Sequence, residues 1–350
     1  MTPRGPVVGW AVAAETSALL VSEVRALDAA RVDLAIVPVT GLGAADPAVV
    51  LAAVAPLTSH IGLVAGQSPW QQPPFLAARG LATLDAVSRG RAGWFVQPEV
   101  TVSTVTDDSG RWFPSPDDSP EVRAAALADL YAATLALWDS WEPDAIVADV
   151  PAGQYVDDEK VHVVDHVGPY YSTRGPLNLP RTPQGRPLVV SAVPTGGTPP
   201  VAGDVVVLST SVAEAPAEVA RIRAAAASPD TSGAAAPLVL LAVRPLVDAA
   251  ADDRTRPYPT LAGSAAQVVA DVLALLETSG ADGIVVVDVP KGAPTGAVLH
   301  GVLPELGAGH GADPRILRTR LGLAPVPSVN TPVPADGTTP VGTPVLEVAP

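Results

Sequence analysis

Short apolar runs alternate with longer amphipathic segments along most of the chain. Each run is bounded by glycine, proline or polar residues and lacks strict alternation, which is typical of parallel strands covered on both faces. The pattern predicts eight such strands: Val7–Ala13, Asp33–Val37, Ile61–Gly66, Ala92–Gln97, Pro187–Val193, Asp204–Leu208, Leu238–Val243 and Gly283–Asp288.

Segments with helical periodicity fill the intervals between these runs. Asp46 before Pro47, and Ser119 before Pro120, place an N-cap ahead of a proline at the first helical position. Gly280 is a natural C-terminal stop for the helix that precedes it. Helices are predicted at Ser17–Ala30, Pro47–Leu57, Phe75–Ser88, Pro120–Trp138, Ala213–Ala227, Ser264–Ser279 and about Thr295–Leu306.

Eight strands that alternate with helices in one continuous series predict an α/β protein built as a (β/α)8 TIM barrel. A doubly wound open sheet is the alternative, and it would need fewer strands and usually a glycine fingerprint after the first one. The stretch "GWAVAAETS" contains no GxGxxG, so the dinucleotide-binding form of that sheet is disfavoured.

The interval between the predicted fourth and fifth strands is too long for an ordinary connection, and long loops in compact domains tend to be functional. We expect an insertion at about 142–186, with a hairpin in "YVDDEKVHVVDHVGPYY". The prolines of "GPLNLPRTPQGRPLVV" (175–190) exclude regular structure, so this part is interpreted as a rigid lead-in to the fifth strand. The barrel domain is predicted at 1–324 and an extended or disordered proline-rich tail at 325–350.

The composition mainly excludes classes of partner and of chemistry. The 350 residues carry a formal net charge of −15 and no basic run, which argues against nucleic acid or an anionic membrane as a partner. There is no cysteine, and the five histidines lack HExxH spacing, so no disulfide, thiolate nucleophile or dedicated metal site is expected. No apolar run approaches a membrane span, and we expect a cytoplasmic protein.

Four segments together resemble the bacterial luciferase-like flavin-dependent monooxygenases, in the branch of nitrilotriacetate and dibenzothiophene-sulfone monooxygenases. They are "LTSHIGLVAGQSPWQQPPFLAARGLATLDAVSRGRAGWFV" (57–96), "LWDSWEPDAIVAD" (137–149), "DHVGPYYSTRGPLNLPRTPQGRPLVVSA" (165–192) and "GSAAQVVADVLALLETSGADGIVVV" (263–287). The resemblance implies a barrel with an insertion, reduced FMN supplied by a separate reductase, and O2 used to oxidise a small organic substrate. It also implies a homo-oligomer, and it favours FMN over a deazaflavin.

The resemblance also implies which residues contact the flavin. Thr40, after the second strand, stands where the family has an acidic residue, and it is either a flavin ligand or a turn residue. Gly66 would let the backbone approach the rear face of the flavin, and Ser68 matches a hydroxylic position beside the ring. The turn Thr195-Gly196-Gly197 offers N–H and O–H groups to the phosphate.

Several positions depart from the family pattern. Phe95 replaces an amide, and Pro120 and Ala124 stand where the family has a histidine and a tyrosine near the flavin. The stretch "TPPVAGD" after the phosphate turn leaves no room for a helix before the sixth strand, and no nearby Lys or Arg is expected to compensate for the missing helix dipole.

The candidates for catalysis are few. His166 matches the family motif in the insertion, and the alternative interpretation is a hairpin histidine bonded to a local carboxylate such as Asp165. Asp288, just past the eighth strand, is placed to face the barrel mouth without an assigned role. Two hypotheses therefore remain: a flavin-dependent monooxygenase, or a catalytically degenerate barrel that has lost flavin chemistry and serves as a non-catalytic partner or binds another ligand.

Overall fold

The computed structural model describes residues 5–12, 16–39, 45–69, 72–97, 119–227, 236–249, 254–290, 292–307 and 316–328. In chain order, the strands are β1 (Val7–Ala11), β2 (Leu34–Val37), β3 (Gly62–Gln67), β4 (Ala92–Val96), β5 (Ile146–Asp149), β6 (Gln154–Val156), β7 (His166–Val167), β8 (Ser172–Thr173), β9 (Leu188–Pro194), β10 (Val205–Ser209), β11 (Leu238–Val247), β12 (Thr260–Gly263) and β13 (Gly283–Val286). The α-helices are α1 (Ser17–Ala29), α2 (Pro47–Val54), α3 (Pro74–Ser88), α4 (Pro120–Trp138), α5 (Ala215–Ala226), α6 (Ala265–Ser279), α7 (Ala293–Gly301) and α8 (Leu317–Arg320).

Eight parallel strands of the described residues close into a barrel in the order β1-β2-β3-β4-β9-β10-β11-β13. The ring is completed by parallel pairing of β13 with β1, in which Val7 faces Gly283. The predicted (β/α)8 TIM barrel is confirmed, and the open-sheet alternative is wrong because a doubly wound sheet would leave two free edges.

Alternate residues of each barrel strand pack into two separate layers. On β9, Leu188 and Val190 point into the barrel, whereas Val189 and Val193 pack outward beneath the helices. Both layers are almost fully buried, and each buried Val or Leu contributes about 1.5–3 kcal/mol relative to exposure. Leu317 of α8 belongs to the inner layer and covers the end of the barrel at which the strands begin.

The observed boundaries differ from the predicted ones where pairing, rather than composition, decides them. β11 continues to Val247 because its last residues pair in parallel with β12, a strand that the sequence pattern did not predict. The helix expected to be missing after the fifth barrel strand is indeed absent, since residues 195–204 lead from β9 to β10 through turns and bends.

The insertion leaves the barrel after α4 and returns at β9. It contains an antiparallel pair formed by β5 and β6 and a second antiparallel pair formed by β7 and β8. Of the predicted tail, residues 329–350 lie outside the described residues. Its first part is held to the insertion, because Arg181 Nη2 donates to the carbonyl oxygens of Val326 and Pro327, each at 3.2 Å.

The proline-rich stretch at 175–190 places one amide, that of Gln184, beneath the barrel. Its Nε2 donates to Asp85 Oδ1 at 2.6 Å and to the Ala92 carbonyl oxygen at 2.8 Å, and its Oε1 accepts from Arg318 N at 3.1 Å. Burial raises the pKa of Asp85, and the hydrogen bond from Gln184 opposes that rise. One loop residue thus joins α3, the start of β4 and the residues that close the barrel.

We expect Gln184→Ala to lower the free energy of unfolding by about 2–3 kcal/mol, because it removes one hydrogen bond to the buried Asp85 carboxylate and the acceptor of the buried Arg318 N–H. Urea unfolding followed by circular dichroism measures this. The control is Asn178→Ala, an exposed residue of the same loop, for which a change within about 0.5 kcal/mol is expected. Equal unfolding midpoints for the two variants would contradict the role of Gln184.

Candidate functional site

The carboxyl ends of the eight strands meet at one mouth of the barrel, where catalytic sites of this architecture lie. The inward positions nearest the mouth are apolar on several strands. Ala11, Phe95 and Val287 are partly buried there, and the inward positions Ala192 and Pro194 of β9 are exposed. The mouth is therefore open to ligand and has an apolar wall.

The turn after β9 is tight and ordered by its own hydrogen bonds. Thr195 N donates to the Ser209 carbonyl oxygen at 3.0 Å, and Thr195 Oγ1 lies 2.9 Å from Oγ1 of Thr210, the residue that follows β10. Gly196 has φ of 73°, a left-handed conformation that favours glycine, and Gly197 N donates to the Pro194 carbonyl oxygen at 2.9 Å. The three residues predicted to bind phosphate thus form one turn at the mouth.

A carboxylate of the chain occupies this turn. Gly196 N donates to Glu218 Oε2 at 2.9 Å, so the amide that would serve a phosphate already binds an anion. Arg221 donates to the same oxygen through Nε at 3.0 Å and Nη2 at 2.9 Å, and also to the Gly197 carbonyl oxygen at 2.6 Å. The Arg221 guanidinium lowers the pKa of Glu218, and the Gly196 N–H lowers it further.

The contacts of Glu218 and Arg221 bear on the predicted phosphate site at the turn. No Lys or Arg was expected near the turn, but α5 brings Arg221 there from one helical turn beyond Glu218. A flavin phosphate does not fit the turn as it stands, because it would meet the negative charge of Glu218 at the Gly196 N–H. Neither residue was found from the sequence, and their i, i+3 spacing on α5 is the signal that could have indicated an ion pair.

Gly66 leaves room for another residue of the chain. Gln97 Oε1 accepts from Val39 N at 2.6 Å, and a Cβ on Gly66 would overlap both groups. The close approach that glycine permits is therefore used by the Gln97 carboxamide, and a flavin contact at Gly66 stays a prediction. Ser68 is buried one residue past β3, and Thr40 lies outside the described residues.

The strand and helix positions that depart from the family pattern show no polar replacement. Phe95 lies in the inner layer near the mouth, while Pro120 and Ala124 are exposed on the first turns of α4. Gln97, two residues after Phe95 and on the same side of the chain, does bring an amide to the end of β4. That amide is engaged by Val39, as described above.

His166 fastens the insertion to the barrel wall. Its Nε2 lies 2.7 Å from Asp129 Oδ1 on α4, and Asp129 Oδ2 accepts from the backbone N–H groups of Tyr170 and Tyr171 at 2.7 and 2.8 Å. The carboxylate that contacts His166 is thus Asp129, 37 residues away, and not the local Asp165 that the alternative interpretation gave as an example. A catalytic role for His166 stays a prediction. The contact between its ring and the buried Asp129 carboxylate also fits a purely structural role.

A second charged cluster lies at the carboxyl ends of β11 and β13. Arg256 Nε donates to Asp288 Oδ2 at 2.8 Å, and Arg244 Nε donates to the Asp288 carbonyl oxygen at 2.9 Å. Burial raises the pKa of the nearby Tyr258 phenol, and the charge of Asp288 raises it further. The sequence analysis placed Asp288 at the mouth but found neither arginine. The predicted strand ended at Val243, one residue before Arg244, so the inward position of Arg244 was not seen.

Neither a cluster of metal ligands nor a membrane-spanning helix is present among the described residues. Within those ranges, no group of three or more His, Cys, Asp or Glu side chains is arranged to hold a metal ion. None of the helices in the described part of the chain is both long and apolar enough to cross a bilayer.

Comparison with known proteins supports the resemblance. Residues 9–272 match the family model described as luciferase-like monooxygenase. The dibenzothiophene-sulfone monooxygenase of Rhodococcus erythropolis is 40% identical over 153 residues, which are 43% of this chain and 33% of that protein. The matched segment spans about a third of the length of the curated relatives with the highest identities.

Solved structures show the same barrel. A long-chain alkane monooxygenase superposes with a TM-score of 0.76 at 17% identity, covering 92% of this chain and 96% of the other. A riboflavin lyase, solved with modified FMN and riboflavin, superposes with a TM-score of 0.73 at 21% identity, covering 91% and 96% of the two chains. At these identities the likeness establishes the fold alone.

Glu218→Gln keeps a hydrogen-bond acceptor for the Gly196 N–H and removes the negative charge. Because a phosphate would otherwise meet that charge, we expect the variant to gain affinity for FMN, relative to riboflavin, by roughly five- to tenfold. Riboflavin lacks the phosphate, so its dissociation constant reports any effect of the variant on binding of the flavin ring alone. The measurement is the ratio of the two dissociation constants from fluorescence titration.

The matched control is Glu214→Gln, on the residue before α5, whose Oε2 accepts from Ser211 Oγ at 2.6 Å and takes no part in the turn. This variant removes the same charge from the same region and should leave the ratio unchanged. An unchanged ratio for Glu218→Gln as well would show that the phosphate does not bind at this turn.

Proposed function

Because the chain belongs to the luciferase-like monooxygenase family, we propose that it is a flavin-dependent monooxygenase. In this proposal a separate reductase supplies reduced FMN, and the protein uses O2 to oxidise a small organic substrate. The observation that carries it is the extent of the family match, which runs from β1 into α6 and so includes all or part of seven of the eight barrel strands.

The arrangement of the mouth supports this proposal in part. A bound flavin supplies the redox chemistry in such enzymes, while the protein orients it and excludes water. Phe95 and Ala192 provide apolar surface at the mouth, which suits a planar ring system. FMN is favoured over a deazaflavin by the resemblance, and a riboflavin lyase of the same fold has been solved with a modified FMN.

The alternative function is a degenerate barrel that acts as a non-catalytic partner or binds a different ligand. It is favoured by one specific observation, the Glu218 carboxylate that occupies the predicted phosphate turn. The exposed Pro120 and Ala124 add to it, because they bring no polar group to the positions where the family has a histidine and a tyrosine.

Titration with FMN separates the two functions. We expect reduced FMN, added anaerobically, to bind with a micromolar dissociation constant, measured by calorimetry, with oxidised FMN titrated in parallel. A protein that binds neither form at millimolar flavin would contradict the monooxygenase and support the degenerate barrel.

Thr195→Glu adds a second negative charge to the turn that already holds Glu218. If the phosphate binds there, we expect at least a roughly tenfold loss of FMN affinity, since like charges in one site repel. Thr195→Ser keeps the hydroxyl that meets Thr210 and serves as the control, with affinity close to that of the unmodified chain. An unchanged FMN affinity in Thr195→Glu would place the phosphate elsewhere in the mouth.

A further inference from the structure

Among the described residues, two buried arginines at the mouth contact the same acidic residue. Arg244 lies on β11 at an inward position, following Leu240 and Ala242 of the inner layer. Arg256 lies on the segment that leads into β12, and Asp288 follows β13. The side chains of Arg244 and Arg256 are 7% and 9% exposed, whereas that of Asp288 is 51% exposed. The acidic group is thus the solvent-facing member of the cluster.

Both guanidinium groups face the same carboxylate oxygen. Arg256 Nε lies 2.8 Å from Asp288 Oδ2, and Arg244 Nε lies 3.7 Å from it. Planar guanidinium groups offer several parallel donors, which is the geometry that carboxylates, phosphates and sulfonates accept. The Asp288 carboxylate therefore marks a position at which the fold holds an oxyanion.

Asp288 holds this position from an unusual backbone conformation. Its φ is 53°, in the left-handed region that asparagine and aspartate tolerate better than most residues. The Tyr258 phenol lies nearby, and burial and then the charge of Asp288 raise its pKa. Two cations and a phenol thus surround an acidic group that solvent can reach.

We propose that Arg244 and Arg256 form an oxyanion-binding subsite, in which an anionic group of the ligand takes the contact now made by the Asp288 carboxylate. β11 and β13 are the seventh and eighth strands of the barrel, and the ends of these strands frequently bind phosphate in this architecture. The group is the phosphate of the flavin or a carboxylate or sulfonate of the substrate. Only the identity of the ligand rests on the proposed function, because the subsite itself is defined by the contacts of the chain.

The test uses inorganic phosphate and no flavin, so it does not depend on flavin binding. Isothermal titration of the full chain with phosphate, at constant ionic strength, should give a millimolar dissociation constant. Arg256→Gln removes one of the two cations and should weaken binding at least roughly tenfold. Asp288→Asn removes the competing charge at a position where asparagine tolerates the backbone, and it should tighten binding roughly three- to tenfold.

The control is Arg223→Gln, which removes an arginine paired with Asp282 at 3.0 Å near the opposite end of the barrel, and phosphate binding should not change. The opposite signs expected for Arg256→Gln and Asp288→Asn cannot both arise from loss of stability. The proposal is overturned if neither variant changes phosphate affinity, if Asp288→Asn weakens binding, or if neither the unmodified chain nor Asp288→Asn binds phosphate.

The same variants identify which oxyanion the subsite takes. If Arg256→Gln weakens FMN binding and spares riboflavin, the subsite takes the flavin phosphate. In the other case, Arg256→Gln leaves the binding of both flavins unchanged but loses the binding of phosphate, succinate and methanesulfonate. The subsite then takes the oxyanion of the substrate. Either result supports the subsite. An Arg256→Gln variant that binds succinate, methanesulfonate and FMN like the unmodified chain overturns it.

Discussion

The hydrogen bonds between Gln184 and the buried Asp85 carboxylate are the contact on which the interrupted barrel depends. The chain leaves the barrel after α4 and must return beside β4 in one register, with Leu188 opposite Gly93. Gln184 lies four residues before that point and binds both Asp85 and the first residue of β4. Because β9 starts in register, its far end delivers the Thr195-Gly196-Gly197 turn to the mouth.

The two ends of the barrel differ in what their polar groups do. At the end where the strands begin, carboxylates satisfy buried donors of the chain, as when Asp204 binds Arg318 at 2.6 and 2.8 Å. At the mouth, the Glu218 carboxylate accepts from the Gly196 N–H and the Asp288 carboxylate accepts from Arg256, the positions proposed above for an anion of the ligand. The Asp204 carboxylate that binds the scaffold residue Arg318 thus lies at the opposite end of the barrel from the Glu218 and Asp288 carboxylates.

The fold was predictable because its signals are local. Proline after an N-cap at Pro47 and Pro120, and apolar runs between turn residues, placed the helices and barrel strands within a few residues. The site was less predictable, because its contacts join distant residues. His166 contacts Asp129 rather than its neighbour Asp165, and Glu218 of α5 contacts Gly196 in the turn after β9. Arg244 could have been found by continuing the alternation of β11 by one residue.

If resident carboxylates and a bound oxyanion compete for the same positions at the mouth, a crystal structure of the protein grown with FMN will show it. We expect the phosphate beside the Gly196 N–H with Glu218 turned away, or between Arg244 and Arg256 with Asp288 turned away. A phosphate bound at the mouth while both carboxylates keep their present contacts would contradict it.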